Sequence, residues 1–310
     1  MLAQRILDTI RFFDLQQMPL TAMEIHKYLV ADMPALRSKL NEQFELVPES
    51  SPVTSPQIHL DTILTQLYIL SHDGRLVEKN GFYAYPHREV LIDERQKNYF
   101  HGIKREKLIR RFLLPTKHIP FIRGIALAGS QALGKQRATS DIDLLIITDA
   151  NFLWTARTLL SAWFQIFGVR RHGLKITNRF CLNHYLAKPR ELDVERNLYQ
   201  AMEYIKLRPV VYPSVINEFQ RNNEGWIRQF YPNASFPEIS SEAQSKLQKF
   251  LEKIFTNALG KKLESFLGKW QQKRINQGPF VFTREDQLSF HPQSKHESLL
   301  QNFFVKQQTH

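Results

Sequence analysis

LAGSQALGKQRATSDIDLLIIT, residues 127–148, opens the apolar run of its second half with two carboxylates, Asp141 and Asp143, one residue apart. The run predicts a buried strand over residues 142–148. Residues two apart on a strand share a face, so both acids project together while Ile142 points into packing. Side by side they repel, and each raises the other's pKa. A fold that keeps such a pair supplies a compensating cation. Hard oxygen donors suit Mg²⁺, which binds through one or two carboxylates plus substrate phosphates, with Mn²⁺ as the alternative. Upstream, Gly129 and Ser130 end a first apolar run at residues 122–128. Glycine lets backbone approach a phosphate, the serine hydroxyl donates to one, and the N–H groups opening the next helical turn favour anions. Lys135 and Arg137, between turn and acids, either add charge to a triphosphate site or belong to an ordinary solvated loop.

Outward from this stretch, residues 151–168 read as an apolar helix stopped at Gly168, and residues 179–186 as a strand. From Ala150 to Arg190 there is no acidic residue, while Arg157, Arg170, Arg171, Lys175, Arg179, Lys188 and Arg190 fall there. Helices are expected over 192–207 and 214–230. Between Ala243 and Trp270 apolar residues recur at helical spacing, from Leu247, Phe250 and Ile254 to Leu263 and Phe266, which predicts a core-facing stripe with the lysines in solvent. A turn at His291–Pro292 and a short last helix close the chain.

The first 90 residues form a unit of their own. A helix over residues 2–15 precedes a capping box, Thr21 with Glu24, that starts a second helix. A third is expected over 58–71, then two short strands around Asn80–Gly81, a type I′ hairpin signal. Three helices and a hairpin resemble a winged helix. Its third helix carries no Lys or Arg, and phosphate contacts need cations, so packing or protein contact is favoured over DNA binding. Residues 91–118 read as a polar, basic helix ending near Pro115. The expected domains are 1–90, 91–190 and 191–310.

The pairing of "ALAGS" with "SDIDLLII", nine residues lying between Ser130 and Ser140, resembles the nucleotidyltransferase superfamily that includes DNA polymerase beta. That resemblance implies an α+β fold with a small mixed-sheet core, flanked by the winged-helix-like domain and a helical C-terminal region. It implies that Gly129 and Ser130 hold the phosphates of an NTP and that Asp141 and Asp143 bind Mg²⁺. It also implies transfer of NMP to a hydroxyl acceptor with release of pyrophosphate. The family usually has a third acid on a later strand. Here that strand, "RFCLNHYL", has none. Asn183 stands near its place, His184 should face away from Asn183 on an alternating strand, and Glu191 and Asp193 are the next acids. The alternative is therefore a catalytically weak or inactive nucleotide-binding regulator signalling through the winged helix.

The bulk properties fit. The chain has 310 residues, 43% of them hydrophobic, and a formal charge of +12, which favours polyanionic partners such as nucleotides. No run approaches the ~20 apolar residues of a membrane span. Charges interrupt the N-terminal apolar pattern, so no signal peptide is expected there. One cysteine, Cys181, rules out an intrachain disulfide and suits a reducing cytoplasm. There is no P-loop, no Gly-x-Gly-x-x-Gly and no Cys/His metal cluster.

Overall fold

The computed structural model describes residues 1–47, 51–52, 55–187, 196–275, 282–284, 287–289 and 294–305. The chain begins with α1 (Leu2–Asp14), β1 (Leu20–Thr21), α2 (Ala22–Lys27), α3 (Met33–Arg37), α4 (Leu60–His72), β2 (Val77–Lys79) and β3 (Phe82–Ala84). The Thr21–Glu24 box closes both ways: Thr21 Oγ1 accepts from Glu24 N at 3.3 Å, and Glu24 Oε2 accepts from Thr21 N at 2.9 Å. Asn80 and Gly81 take φ of 55° and 79°, as a type I′ turn requires. The resulting hairpin adds to β1 in the order β1–β3–β2, all antiparallel.

Helix α5 (Val90–Leu108) runs into a π turn at Ile109–Leu113 and a 3₁₀ turn at Leu114–His118. Pro115 lacks an N–H and its ring crowds the preceding turn, so the regular helix ends earlier than the sequence suggests. Then come β4 (Ile122–Leu127), α6 (Gly129–Ala132), β5 (Ile142–Thr148), α7 (Leu153–Ile166), β6 (Phe180–Leu186), α8 (Leu198–Ile205), β7 (Arg208–Val211), α9 (Pro213–Asn222), α10 (Glu224–Phe230), α11 (Lys246–Phe255), α12 (Ala258–Ile275), β8 (Phe282–Arg284), β9 (Gln287–Ser289) and α13 (Ser294–Val305). The fold is α+β. The larger sheet has the order β7–β4–β5–β6–β9–β8, and only β5 and β6, joined through α7, run parallel. Strand β7 was not expected. Its Pro209 lies on an edge, where a missing N–H costs least. Residues 214–230 form two helices broken at Asn223 rather than one. The His291–Pro292 turn lies outside the described residues.

The sheet's two faces bury different cores. Ile142, Leu144 and Ile146 pack with Leu160 and Phe164 of α7. Leu145, Ile147 and Ala126 face the other way, into a core shared with α8–α10 and the N-terminal helices. Asp141 and Asp143 belong to this second face by alternation. Phe180 and Tyr185 both join the α7 side although they are five positions apart, an odd number that alternation would put on opposite faces. An irregularity in β6 accounts for it: Asp143 pairs with Cys181 but Leu145 pairs with His184, one residue out of step. Alternation therefore fails between Cys181 and His184, and His184 is aligned with the face that carries Asp143.

The stripe on α11 and α12 corrects the expectation drawn from its spacing. Leu247, Phe250, Ile254, Leu263 and Phe266 are exposed. The inward face is instead polar and small, because those residues bond the layer beneath. Gln248 donates to Ile119 O and Ile122 O. Glu252 takes Phe121 N and Arg123. Gln271 bonds Thr158, and Gly268 seats Trp154 so closely that a Cβ there would lie 3.0 Å from it. Glu264 accepts from Trp154 N (2.8 Å), Thr155 N (2.7 Å) and Thr155 Oγ1 (2.6 Å), capping α7, whose own N-cap residue Phe152 offers no side-chain bond. Among the described residues no helix is long and apolar enough to cross a membrane.

The capping contact is testable. Bonds to a charged acceptor contribute about 1.5–3 kcal/mol each at most and are not additive, so Glu264→Ala should cost about 2–3 kcal/mol in denaturant unfolding. Glu264→Gln should lose less. Unchanged midpoints in both variants would show that α7 does not depend on this bridge.

Candidate active site

Strand β4 delivers the chain to a corner. Ala128 N donates to Asp143 O at 3.0 Å, so the corner is bonded to the strand that bears the acids. Gly129 takes φ of 58°, a left-handed value that favours glycine. A Cβ there would also stand 2.3 Å from Asp143 Oδ2 and 3.0 Å from its Cγ. Both the backbone angle and the space therefore require glycine, and the Gly-Ser corner and the Asp-x-Asp strand form one site. Ser130 is partly exposed at the start of α6.

Asp141 and Asp143 come together as expected. Cys181, which the sequence reading left aside, joins them: one ligand atom from each lies within 4.8 Å of the others. Cys181 is the strand partner of Asp143 on β6. Burial, then the charge of Asp141, then that of Glu203, lift the Asp143 carboxyl to about 7. Burial, then Asp143, push the Cys181 thiol to about 12. Arg171 supplies the cation the pair calls for: its Nη1 is 2.5 Å from Asp141 Oδ2 and 3.2 Å from Cys181 Sγ. Its side chain is 39% exposed, so the pair is open to solvent.

The loop between corner and acids is held by a residue with no sequence signature. Arg105 of α5 is buried, and its Nη2 donates to the carbonyls of Arg137 (2.5 Å), Ala138 (3.2 Å) and Ser140 (3.0 Å). Its Nε donates to Asn178 Oδ1 at 2.7 Å. One guanidinium thereby fixes the approach to Asp141. On the other side α8 brings Tyr199 and Glu203, which are hydrogen-bonded to each other, and Glu203 pairs with Lys206. Lys135, Tyr199, Leu15, Gln16 and Asn302 line a cavity of about 340 Å³. Burial, then Lys206, Arg137 and Arg95, press the Lys135 amine down to about 8. Glu191 and Asp193 lie outside the described residues, as does the side chain of Asn183.

Residues 107–256, from the end of α5 to just past α11, match the family model of the nucleotidyltransferase domain. This segment is a nucleotidyltransferase domain. No curated protein and no solved structure matches the chain. The domain family usually uses a divalent metal ion, and the two carboxylates here are donors that fit one: they converge, and the burial that lifts Asp143 to about 7 is relieved by a nearby positive charge. The third acid that the resemblance led one to expect on a later strand is not found on β6, where Cys181 stands opposite Asp143. Glu203, on a helix rather than a strand, is a further carboxylate whose charge reaches Asp143. Its place on α8 gives it no mark in the sequence of the later strand.

The raised Asp143 has a consequence for stability. A carboxyl whose folded pKa lies near 7, above its unfolded ~3.9, opposes folding as it ionises. That cost is absent below about pH 4, grows with pH, and is complete above about pH 7. In EDTA, Asp143→Asn should therefore melt higher than the unsubstituted protein at pH 8, with the gain shrinking toward pH 4. A gain that does not change with pH would remove the assigned cause.

Proposed function

We propose that the chain moves NMP from an NTP to a hydroxyl acceptor, with Mg²⁺ (or Mn²⁺) held by Asp141 and Asp143 and the nucleotide phosphates held at Gly129 and Ser130. The observation that supports this reading is the close approach of the Asp143 carboxylate to Gly129, where a Cβ would stand 2.3 Å from Oδ2, so that the Gly-Ser corner and the carboxylates adjoin. A divalent ion held by Asp141 and Asp143 would supply Lewis-acid polarisation of the phosphate and charge neutralisation for pyrophosphate. The protein's own part is positioning. Arg105 holds the loop that ends at Asp141, and the corner's backbone is bonded to Asp143. In the transfer the acceptor oxygen bonds to the α-phosphorus as the bond to pyrophosphate breaks, and the acceptor's proton passes to solvent. The basic cavity wall around Lys135 suits an anionic tail. A reducing cytoplasm is the proposed location.

A second reading rests on a specific observation. Arg171 already pairs with Asp141, and the β6 partner of Asp143 is a thiol. Both favour a domain that binds nucleotide and relays occupancy without transfer. The N-terminal unit would then be the output, proposed as a winged helix working through protein contacts. Its α4 exposes Leu64, Tyr68 and Ile69 and carries no Lys or Arg, which suits a protein better than DNA.

One assay separates the readings. The full chain is incubated with labelled NTPs, Mg²⁺ or Mn²⁺, and a cell extract as the acceptor source, and labelled acceptor and pyrophosphate are measured. Asp141→Ala and Asp143→Ala should each reduce transfer at least ~100-fold, the scale of losing one strong electrostatic contact, while keeping the far-ultraviolet spectrum. Full activity in both variants would dismiss the site. Saturable nucleotide binding without transfer would establish the regulator.

A further inference from the structure

The two helices turned inside out leave a face with a defined chemistry. On α11, Leu247, Phe250 and Ile254 point outward, Phe250 at 63% exposure. On α12, Leu259, Leu263, Phe266 and Trp270 do the same at spacings of four, three and four, with Phe266 at 65% and Trp270 at 48%. Helical residues at those spacings share one side. Flanking them by helical spacing stand Lys246 and Lys253 on α11 and Lys262 and Lys269 on α12, all exposed. The two helices contain only two acids, Glu252 and Glu264. Both are turned inward and bonded, to Arg123 and to the start of α7. The outer surface is therefore large apolar side chains set among cations, with no negative charge of its own.

The inward side fixes this orientation. Gln248, Glu252, Glu264 and Gln271 have specific partners in the layer below, so rotating either helix to bury its apolar stripe would break them. Phe255 packs against the core on the α7 side of the sheet, and α12 packs on α7 itself. Both outer faces thus look away from the sheet on the same side.

We propose that this face seats the protein on an anionic lipid surface, with the aromatic and aliphatic side chains in the headgroup–acyl boundary and the lysines over the headgroups. Apolar residues with Trp and Phe on one side and Lys along its margins are the requirements for a helix lying in a membrane interface, and anionic headgroups attract each nearby Lys. A second copy of the chain meets lysine with lysine across the same face, which is repulsive. A single partner helix covers one of the two stripes and leaves the other in water. The inference is independent of the nucleotide reading.

The test is co-sedimentation of the full chain with vesicles of phosphatidylcholine alone and of phosphatidylcholine mixed with phosphatidylglycerol. The protein should pellet with the mixed vesicles, far less with the neutral ones, and Trp270 emission should shift to the blue. Phe266→Glu with Trp270→Glu should lower partitioning at least ~10-fold, since both lose apolar insertion, and Lys262→Gln with Lys269→Gln should weaken it severalfold. These sites are exposed, so an unchanged thermal midpoint will show that the variants fold. Three results would overturn the proposal. One is no binding to anionic vesicles. Another is equal binding by the Phe266→Glu/Trp270→Glu variant, which would assign attraction to other basic surface. The third is a dimer in light scattering that the same variant abolishes, which would assign the face to a second copy.

Discussion

The site depends on one steric fact: the carboxylate of Asp143 occupies the space where any residue but glycine at 129 would put a Cβ. That contact welds the end of β4 to the beginning of β5. It explains why the acids open a core strand. Their backbone belongs to the sheet, with Ile142 and Leu144 buried on the α7 side, while their side chains gather at the corner. It also makes the corner's geometry a property of the sheet rather than of a loop, because Ala128 N is bonded to Asp143 O across the strand pair. The intervening loop is then pinned from outside by Arg105.

Burial works on both signs of charge around this corner. It lifts Asp143 to about 7 and lowers Lys135 to about 8, so neither group holds its charge comfortably at neutral pH. Glu203 acts on both, raising the one and opposing the fall of the other. Partners of opposite sign relieve each strain: a cation at the acids, an anion at the lysine. On the proposed reading an NTP with its divalent ion would bring both together, so the burial of these charges suits that ligand class.

Much of this was legible in the chain. A strand, a glycine corner, a fixed spacing and a second strand are all local patterns, and Gly129, Ser130, Asp141 and Asp143 fall where those patterns put them. The hairpin at Asn80–Gly81 and the Thr21–Glu24 box are equally local, since each is written within four residues. What could not be read was set by tertiary contact. Arg105 and Arg171 are two among many cations, and only packing shows which carbonyls and carboxylates they meet. The extra residue in β6 that realigns His184 leaves no mark in a run of mixed apolar and polar residues. The stripe on α11 and α12 was misread because periodicity reports that a helix has two faces and not which one is covered. Four inward polar residues with dedicated partners decided it, against the usual rule for apolar faces.

The thiol at position 181 changes the electrostatics more than the shape of the site. A third carboxylate beside Asp143 would add negative charge where one acid is already held near 7. Cys181, pushed to about 12, stays neutral at physiological pH and adds none. Two acids, one of them only part ionised, need little positive charge, and Arg171 provides it through the one nitrogen that touches both Asp141 and Cys181. The site can therefore rest folded with an arginine as its counter-ion. On the proposed reading a divalent ion held by Asp141 would compete with Arg171 for that carboxylate, and the phosphates of a nucleotide would offer the guanidinium a new partner. Ion and nucleotide would then favour each other's binding through a residue that neither the glycine corner nor the acid pair announces.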